Sequence, residues 1–257
     1  MDQFMTPEFW VAVGQIIMID ILLGGDNAVV IALACRKLPP AQRRLGIMWG
    51  TAGAVLLRVV LIMFALTLLK LPFLKLIGAL LLLWIGIKLL MADDDDDHAN
   101  IKPSDKLWAA VKTVIVADFV MSLDNVIAIA GAAEGAGADH QFALVVFGLV
   151  VSIPIIVWGS QLVIKLMDRF PFIIILGGML LGWIAGGMLV TDPAFVNPAV
   201  MDWMPKWGSV DEKGLAVISD TLYWASHVVG ALLVLAVGKF IVSRRAGDGG
   251  EGGAAHG

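Results

Sequence analysis

The chain has 257 residues and a formal net charge of −4, and 59% of its residues are hydrophobic whereas only 16% are charged. Soluble domains are about 45–50% apolar and about 25% charged, so a soluble fold of this size has too little interior for these side chains. The composition excludes a disordered chain, a coiled coil, a nucleic-acid-binding protein and a secreted disulfide scaffold. It indicates a polytopic membrane protein whose surroundings are the lipid bilayer, with no nucleic-acid partner.

Apolar runs of about 20 residues, the length that a helix needs to cross a bilayer, recur along the chain. In chain order these runs are 9–34, 45–69, 73–91, 107–133, 141–167, 172–190 and 215–242. The sequence therefore predicts an all-α membrane protein with seven transmembrane helices. With the N-terminus outside, eleven lysines and arginines belong to the cytoplasmic side and four to the outer side, which predicts a cytoplasmic C-terminus.

The two halves of the chain repeat the same polar residues in the same order. At an offset of 98 residues the aligned pairs are Asp20/Asp118, Asp26/Asp124 and Asn27/Asn125. At an offset of 99 residues the aligned pairs are Pro72/Pro171, Phe73/Phe172 and Trp84/Trp183. Each half has three spans, and because three is odd, the second copy enters the membrane from the opposite face. Such inverted repeats are typical of secondary transporters, which bind ions near the membrane midplane.

The repeat also predicts how the chain is divided. The predicted segments are a first three-helix repeat (1–92), an acidic cytoplasmic loop (93–106), a second inverted three-helix repeat (107–191), an outer loop (192–214), an added seventh helix (215–243) and a disordered tail (244–257). The run Asp93 to Asp97 has two interpretations. It is a solvated loop, or it concentrates cations at the cytosolic mouth of a transport path.

Four aspartates lie inside predicted spans at equivalent positions of the two repeats. An ionised aspartate at the bilayer centre costs about 2.5–3.5 kcal/mol, so packing alone would favour leucine at these positions. The predicted metal ligands are Asp20, Asp26, Asn27, Asp118, Asp124 and Asn125. Carboxylate and amide oxygens suit hard divalent cations such as Mn²⁺, Ca²⁺ and Mg²⁺. The alternative is a set of protonated carboxyls that make structural hydrogen bonds between helices.

The residues just before the inner aspartates predict an interruption of the helix. Gly24 and Gly25 favour a break, after which Asp26 or Asn27 would cap the second half-helix and freed carbonyls would line a polar cavity. Ser122 and Leu123 replace these two glycines in the second repeat, which makes the prediction of a break or cap there less direct.

Five other residues inside the spans each have two interpretations. Arg58 either neutralises one of the aspartates when no metal is bound, or it pairs structurally or extends its charged end to the membrane surface. Asp220 and His227 are seven residues apart on one helix face, as in an outer exit path or a proton relay. They are alternatively a helix cap and a packed histidine. Gly46 and Gly50 permit close helix approach, either within the bundle or in a homodimer.

The Asp-x5-Asp-Asn elements that begin at Asp20 and Asp118, in a seven-span chain, resemble the TerC family of bacterial integral membrane proteins. The Pro-Phe, Gly and Trp-Ile pattern of each third helix fits the same family, and the similarity covers most of 8–243. The family is associated with tellurium resistance by name and with manganese efflux in several members, while other members have different membrane roles. The resemblance implies a bacterial inner-membrane protein of metal homeostasis that exports Mn²⁺, with the acidic residues of the motif as ligands.

The predicted function is therefore secondary active export of a divalent cation by alternating access, with Mn²⁺ as substrate and no cofactor. No Walker sequence is present, and moving two charges outward against 100 mV costs about 4.6 kcal/mol, so proton or sodium antiport is expected. The protein is predicted not to be an enzyme. One alternative is a non-transporting scaffold that aids insertion or metallation of other proteins. Another is an intramembrane aspartyl protease, in which two aspartates share a proton.

Overall fold

The structure, a computed structural model, describes residues 7–68, 71–91, 103–134, 141–203, 206–210 and 216–251. Helices dominate these ranges, because a helix satisfies its own backbone hydrogen bonds where lipid offers no partner. In chain order the elements are α1 (Pro7–Cys35), α2 (Pro40–Leu68), α3 (Leu74–Met91), α4 (Pro103–Glu134), α5 (Gln141–Arg169), α6 (Phe172–Val190), α7 (Pro198–Trp203), β1 (Gly208–Val210), β2 (Ala216–Ile218) and α8 (Asp220–Glu251).

Within the described residues, five helical stretches are long and apolar enough to cross a membrane. They are Pro40–Phe64, Leu74–Met91, Val146–Arg169, Phe172–Val190 and Asp220–Arg244. A shorter apolar stretch, Gly25–Cys35, lies in α1. The protein is thus a largely helical, polytopic membrane protein, as its composition predicts.

A short hairpin lies between α7 and α8, where the sequence predicts only an outer loop and the start of the seventh helix. Its strands pair antiparallel, with Gly208 opposite Ile218, so α8 begins at Asp220 and not at position 215. The hydroxyl of Ser219 accepts a hydrogen bond from the backbone N–H of Leu222 at 3.4 Å and helps to start the helix. Strands of three residues are too short for a pattern of alternating hydrophobicity to predict them.

The chain forms two compact units, and each takes helices from both predicted repeats. The first unit consists of 1–71 and 102–170 and contains α1, α2, α4 and α5. Within it, α1 packs mainly on α5, and α2 packs mainly on α4. The second unit consists of 72–101 and 171–257, and in it α6 packs on both α3 and α8.

Two glycines of α2 let it approach its neighbours closely inside the first unit. A Cβ added at Gly46 would lie 3.1 Å from Sγ of Cys35, and one at Gly50 would lie 3.0 Å from Cγ1 of Val114. Both glycines are buried. This geometry corresponds to close approach within the bundle, while a homodimer contact stays a prediction.

A buried aspartate joins the end of α6 to the start of α3 in the second unit. Asp192 accepts hydrogen bonds from the backbone N–H groups of Phe73 at 2.8 Å, Leu76 at 3.0 Å and Ala194 at 2.7 Å. Phe73 has a φ of 67°, in the left-handed region that residues with a side chain rarely occupy. The Asp192 carboxylate therefore holds a strained turn and supplies acceptors for the first turn of α3, whose N–H groups have no partner within the helix.

Glycines also bring α6 and α8 into direct backbone contact. A Cβ added at Gly182 would collide with the carbonyl of Gly230, and one added at Gly186 would collide with the carbonyl of Ser226. Close backbone approach at small residues is the usual way in which membrane helices gain packing energy.

Gly186→Ala is therefore expected to destabilise the protein by about 1–3 kcal/mol, because the colliding atom belongs to a helix backbone that cannot rotate away. Gly14→Ala is the matched control: its Cβ would meet no atom within 4 Å, and alanine favours a helix over glycine by about 1 kcal/mol. Unfolding in detergent micelles, followed by tryptophan fluorescence, measures both changes. Equal stabilities of the two variants would contradict the close contact between α6 and α8.

Candidate functional site

Most of the predicted site residues whose side chains the structure describes lie in the first unit. Asp26 and Asn27 lie on α1, Arg58 lies on α2, and Asp118 and Ser122 lie on α4. All of them are buried except Asp26, which is partly exposed. Buried charges are costly unless they are paired and hydrogen-bonded, so their partners decide what this region can do.

Arg58, Asp118 and Ser122 form a closed hydrogen-bonded triad between α2 and α4. Nη2 of Arg58 lies 2.6 Å from Oδ1 of Asp118 in a buried ion pair, and its Nε donates to Oγ of Ser122 at 3.0 Å. The Ser122 hydroxyl in turn donates to Oδ2 of Asp118 at 3.1 Å. Both carboxylate oxygens of Asp118 therefore have a donor, and the guanidinium balances its charge. The structure thus places Arg58 beside one of the predicted metal ligands.

A small cavity of about 10 Å³ adjoins Asp118 on the side of α1. Asn27, Val30 and Ile31 of α1 and Val114 and Asp118 of α4 line it. Its volume is about that of one water-sized sphere. Asn27 is 4% exposed, and neither its amide nitrogen nor its amide oxygen has a hydrogen-bond partner among the described residues. Leaving a buried amide without a hydrogen bond costs about 1–3 kcal/mol. Such a group in a native structure is typically one that binds a ligand or an ordered water.

Asp26 adds a second carboxylate near this cavity. Its Oδ1 accepts a hydrogen bond from the backbone N–H of Asn27 at 2.8 Å, and it lies within the electrostatic influence of both Arg58 and Asp118. The junction of α1, α2 and α4 therefore combines two carboxylates with one guanidinium and one amide. The acidic groups outnumber the basic one, which favours a cation at this place.

The remaining predicted ligands belong to the same two helices. Asp20 lies on α1, and Asp124 and Asn125 lie on α4, but their side chains are outside those that the structure describes. Among the described side chains there is no group of three or more His, Cys, Asp or Glu residues that could hold a metal ion. Ligation by the complete set stays a prediction.

The helices pass through the predicted break positions without interruption. α1 is continuous from Pro7 to Cys35 through Gly24 and Gly25, and α4 is continuous from Pro103 to Glu134 through Ser122. This differs from the predicted half-helices. A glycine inside a helix costs about 1 kcal/mol, whereas a break in hydrocarbon leaves backbone groups that cost several kcal/mol each. Ser122 does not interrupt α4, and its hydroxyl instead bonds to Asp118 one turn earlier.

Thr51 of α2 is a further buried polar residue, beyond those that the repeat predicts. It is buried on α2, and its hydroxyl has no hydrogen-bond partner among the described residues. In contrast, the buried hydroxyls of Ser152 and Ser160 donate to carbonyls of their own helix at 2.8 Å. Thr51 precedes Arg58 by seven residues and so lies about 10 Å away on the same helix face. The seven-residue spacing of two polar residues in an apolar span is the feature of the sequence that indicates Thr51.

Asp220 and His227 lie in the second unit. Asp220 is exposed at the first residue of α8, whereas His227 is buried among the rings of Trp183, Tyr223 and Trp224. Nδ1 of His227 lies 2.7 Å from the carbonyl oxygen of Tyr223, and because a carbonyl only accepts, Nδ1 carries the proton. An exit path or proton relay through these residues stays a prediction.

The description "Integral membrane protein TerC family" matches residues 5–246. The uncharacterized membrane protein YjbE of Bacillus subtilis (strain 168) is 45% identical over 73% of this chain and 83% of its own length. YceF of the same organism, also an uncharacterized membrane protein, is 26% identical over 64% of this chain and 65% of its own.

The UPF0053 inner membrane protein YgdQ of Escherichia coli (strain K12) is 24% identical over 64% of this chain and 74% of its own. No solved structure matches the chain significantly. The match over residues 5–246 covers nearly all of this chain. The chain therefore belongs to the TerC family of integral membrane proteins.

Proposed function

We propose that this protein is a secondary active transporter that exports a divalent cation, with Mn²⁺ as its substrate, through the acidic junction of the first unit. The observation that carries the proposal is the buried Asn27 amide, without a partner among the described residues, at a cavity that Asp118 also lines. Ionisable groups inside membrane helices are expensive and mark ion pathways. The association of several TerC members with manganese efflux supports the choice of metal.

The chemistry of the junction suits a hard cation. Asp26 and Asp118 supply carboxylate oxygens, and Asn27 supplies an amide oxygen, which are the ligand types that Mn²⁺, Ca²⁺ and Mg²⁺ accept. Because Arg58 and Ser122 already donate to the two oxygens of Asp118, a cation that binds Asp118 shares these oxygens with the two donors. Arg58 then acts as a built-in positive charge that neutralises Asp118 while the cation is absent.

We propose that the symmetric positions complete the ligand set. The repeat relates α1 to α4, so Asp20 corresponds to Asp118, and Asp124 and Asn125 correspond to the two described ligands of α1. These residues lie on the two helices that already border the cavity. The two repeats are not fully symmetric, because Ile156 stands where the second repeat would place a counterpart of Arg58.

The packing of the first unit supports seven spans with an inverted repeat. Exchanging α1 with α4 and α2 with α5 converts the α1–α5 contact into the α4–α2 contact, and these are the two main contacts of the unit. α2 and α4 run in the same direction, since Gly46 lies near Leu107 and Arg58 lies near Ser122. A chain with parallel α2 and α4 needs one crossing between them, which α3 would provide.

The energy source and orientation are part of the proposal. Export of two positive charges against the membrane potential needs an opposing ion gradient, and we propose proton or sodium antiport by alternating access. The distribution of lysines and arginines supports an outer N-terminus and a cytoplasmic C-terminus.

Asp26→Asn combined with Asp124→Asn is expected to lower Mn²⁺ flux by more than about 100-fold, since the loss of even an outer-shell partner costs a metal site 10–100-fold. The measurement uses proteoliposomes with a trapped Mn²⁺-sensitive dye and an imposed proton or sodium gradient. Asp168→Asn is the matched control, because this exposed carboxylate makes only a loose ion pair with Arg43 at 3.8 Å.

The outcomes separate the parts of the proposal. Wild-type flux that survives in the double variant would refute the assigned site. Flux of Ca²⁺ or Mg²⁺ without Mn²⁺ would keep a transporter but reject the substrate. Absence of any divalent flux in the wild-type protein, with correct folding, would favour the membrane scaffold. Flux that does not depend on either gradient would reject antiport.

A further inference from the structure

The second unit contains an apolar groove between the end of α3, the start of α6 and the last part of the membrane-crossing stretch of α8. Its volume is about 660 Å³, within the range of sites that hold small organic ligands. Leu90 of α3, Phe172 and Ile175 of α6, and Leu235 and Val242 of α8 supply apolar walls. The groove lies outside the first unit and plays no part in the proposed transport site.

Two glycines shape the floor of the groove. A Cβ added at Gly178 would lie 2.6 Å from Cγ of Leu90, and one added at Gly238 would lie 2.9 Å from Cδ1 of the same leucine. The Leu90 side chain therefore fills the space that larger residues would occupy on α6 and α8. This gives a continuous apolar floor between the three helices.

The mouth of the groove carries a lysine. Lys239 lines the groove, is exposed and makes no ion pair with any carboxylate among the described residues. Arg244 lies five residues further along α8, about 140° around the helix axis from Lys239 and outside the groove lining, with its guanidinium 4.8 Å from the ring centroid of Phe240. Ser243 lines the groove beside them, and its hydroxyl donates to the Phe240 carbonyl at 2.9 Å. A positive charge at the mouth of an apolar groove is complementary to an amphiphile with an anionic head.

The groove has the depth expected for an acyl chain. The lining residues of α8 run from Leu235 to Ser243, which is about 12 Å along a helix axis. One leaflet of the hydrocarbon core is about 15 Å thick. The membrane-crossing stretches of α3 and α8 end at Met91 and Arg244, close to the groove residues, so the groove runs from the membrane surface inward.

We infer that this groove binds an anionic phospholipid. One acyl chain lies along the Leu90 floor, and the headgroup phosphate lies beside Lys239. Basic pockets between transmembrane helices are known to hold anionic headgroups, and each lysine near such a surface contributes to the attraction.

The test is lipid retention. The full chain is reconstituted in equal amounts of phosphatidylglycerol and phosphatidylcholine, extracted in mild detergent, and examined by native mass spectrometry for bound lipid. We expect the wild-type protein to retain phosphatidylglycerol preferentially. Lys239→Gln should lower that retention about fivefold. Lys88→Gln is the matched control, since Lys88 is an exposed lysine of the last turn of α3 that lies over Trp84 and does not line the groove.

A second variant tests the apolar part of the groove. Val242→Trp places a large ring in the groove and should abolish retention of both lipids, and the melting profile of the variant shows whether it is folded. Equal retention of the two lipids by the wild-type protein would overturn the anionic specificity. Equal losses in Lys239→Gln and Lys88→Gln would overturn the assigned headgroup position, and undiminished retention in folded Val242→Trp would overturn the groove itself.

Discussion

Replacing one partner of the Arg58–Asp118 pair is expected to destabilise the first unit far more than replacing both. The pair is buried, with side-chain exposures of 2% and 7%, so each single replacement leaves an uncompensated charge in an apolar surrounding. Such a loss costs about 3–5 kcal/mol, whereas exchange of a whole buried pair for apolar residues of similar volume is often neutral. We therefore expect Arg58→Met and Asp118→Leu each to destabilise the protein strongly when made alone. When the two are combined, we expect most of that stability to be regained.

A double-mutant cycle in detergent micelles measures this coupling from the unfolding of four proteins. A coupling free energy of about 3 kcal/mol or more is the expected result. Arg58→Lys is an informative intermediate, since lysine keeps the charge but cannot donate in the fixed geometry that reaches both Asp118 and Ser122. Strictly additive losses would show that the two side chains do not pair in the folded protein.

The same cycle separates stability from transport. The double variant is expected to fold and yet to carry no Mn²⁺, because Asp118 can no longer supply a ligand. Flux assays on the refolded double variant therefore test the ligand role without the complication of misfolding. Normal flux in that protein would place the ion path elsewhere.

Asp192→Ala is expected to destabilise the second unit by about 3 kcal/mol or more. The carboxylate accepts three backbone N–H groups, at 2.7 to 3.0 Å, and hydrogen bonds to charged groups contribute about 1.5–3 kcal/mol each. The variant leaves the N–H groups of Phe73 and Leu76 without that acceptor at the start of α3. It also removes a contact that holds Phe73 in its left-handed conformation.

Phe73→Gly provides a check on this interpretation. Phe73 is 53% exposed, so its removal costs little packing, and glycine adopts a positive φ without the penalty of about 1–2 kcal/mol that other residues incur. Adding Phe73→Gly to Asp192→Ala should therefore restore part of the stability, as measured by unfolding in micelles. An Asp192→Ala protein as stable as the wild type would contradict the role of this aspartate.

Hydrophobicity alone predicted most of the helical fold. Apolar runs of about 20 residues identify helices because a bilayer permits few other structures, and the described helices cover all seven predicted runs apart from small differences at their ends. The hairpin at 208–218 was missed because its strands are three residues long. The start of α8 was consequently placed too early.

The prediction of half-helices shows a limit of local reasoning. Gly24 and Gly25 have low helix propensity, and propensity favours a break where they occur. In the structure α1 continues through them. Leaving backbone N–H and C=O groups unpaired in lipid costs more free energy than keeping two glycines in a helix. Propensity describes one residue at a time, whereas this outcome depends on the solvent around the whole helix.

The polar residues of the site follow from sequence, but their partners do not. Asp26, Asn27, Asp118 and Arg58 are recognisable because each is expensive in an apolar span, and the repeat relates the two acidic elements without any structure. Neither observation says which carboxylate Arg58 meets. That choice depends on the rotation and register of α2 against α4, which many contacts determine together, among them Gly50 against Val114. The tertiary structure therefore decided that Arg58 pairs with Asp118. It also decided that the Asn27 amide lies at a cavity without a partner among the described residues. The cost of burying a polar residue can be estimated from its type alone, whereas its partner depends on how the helices pack.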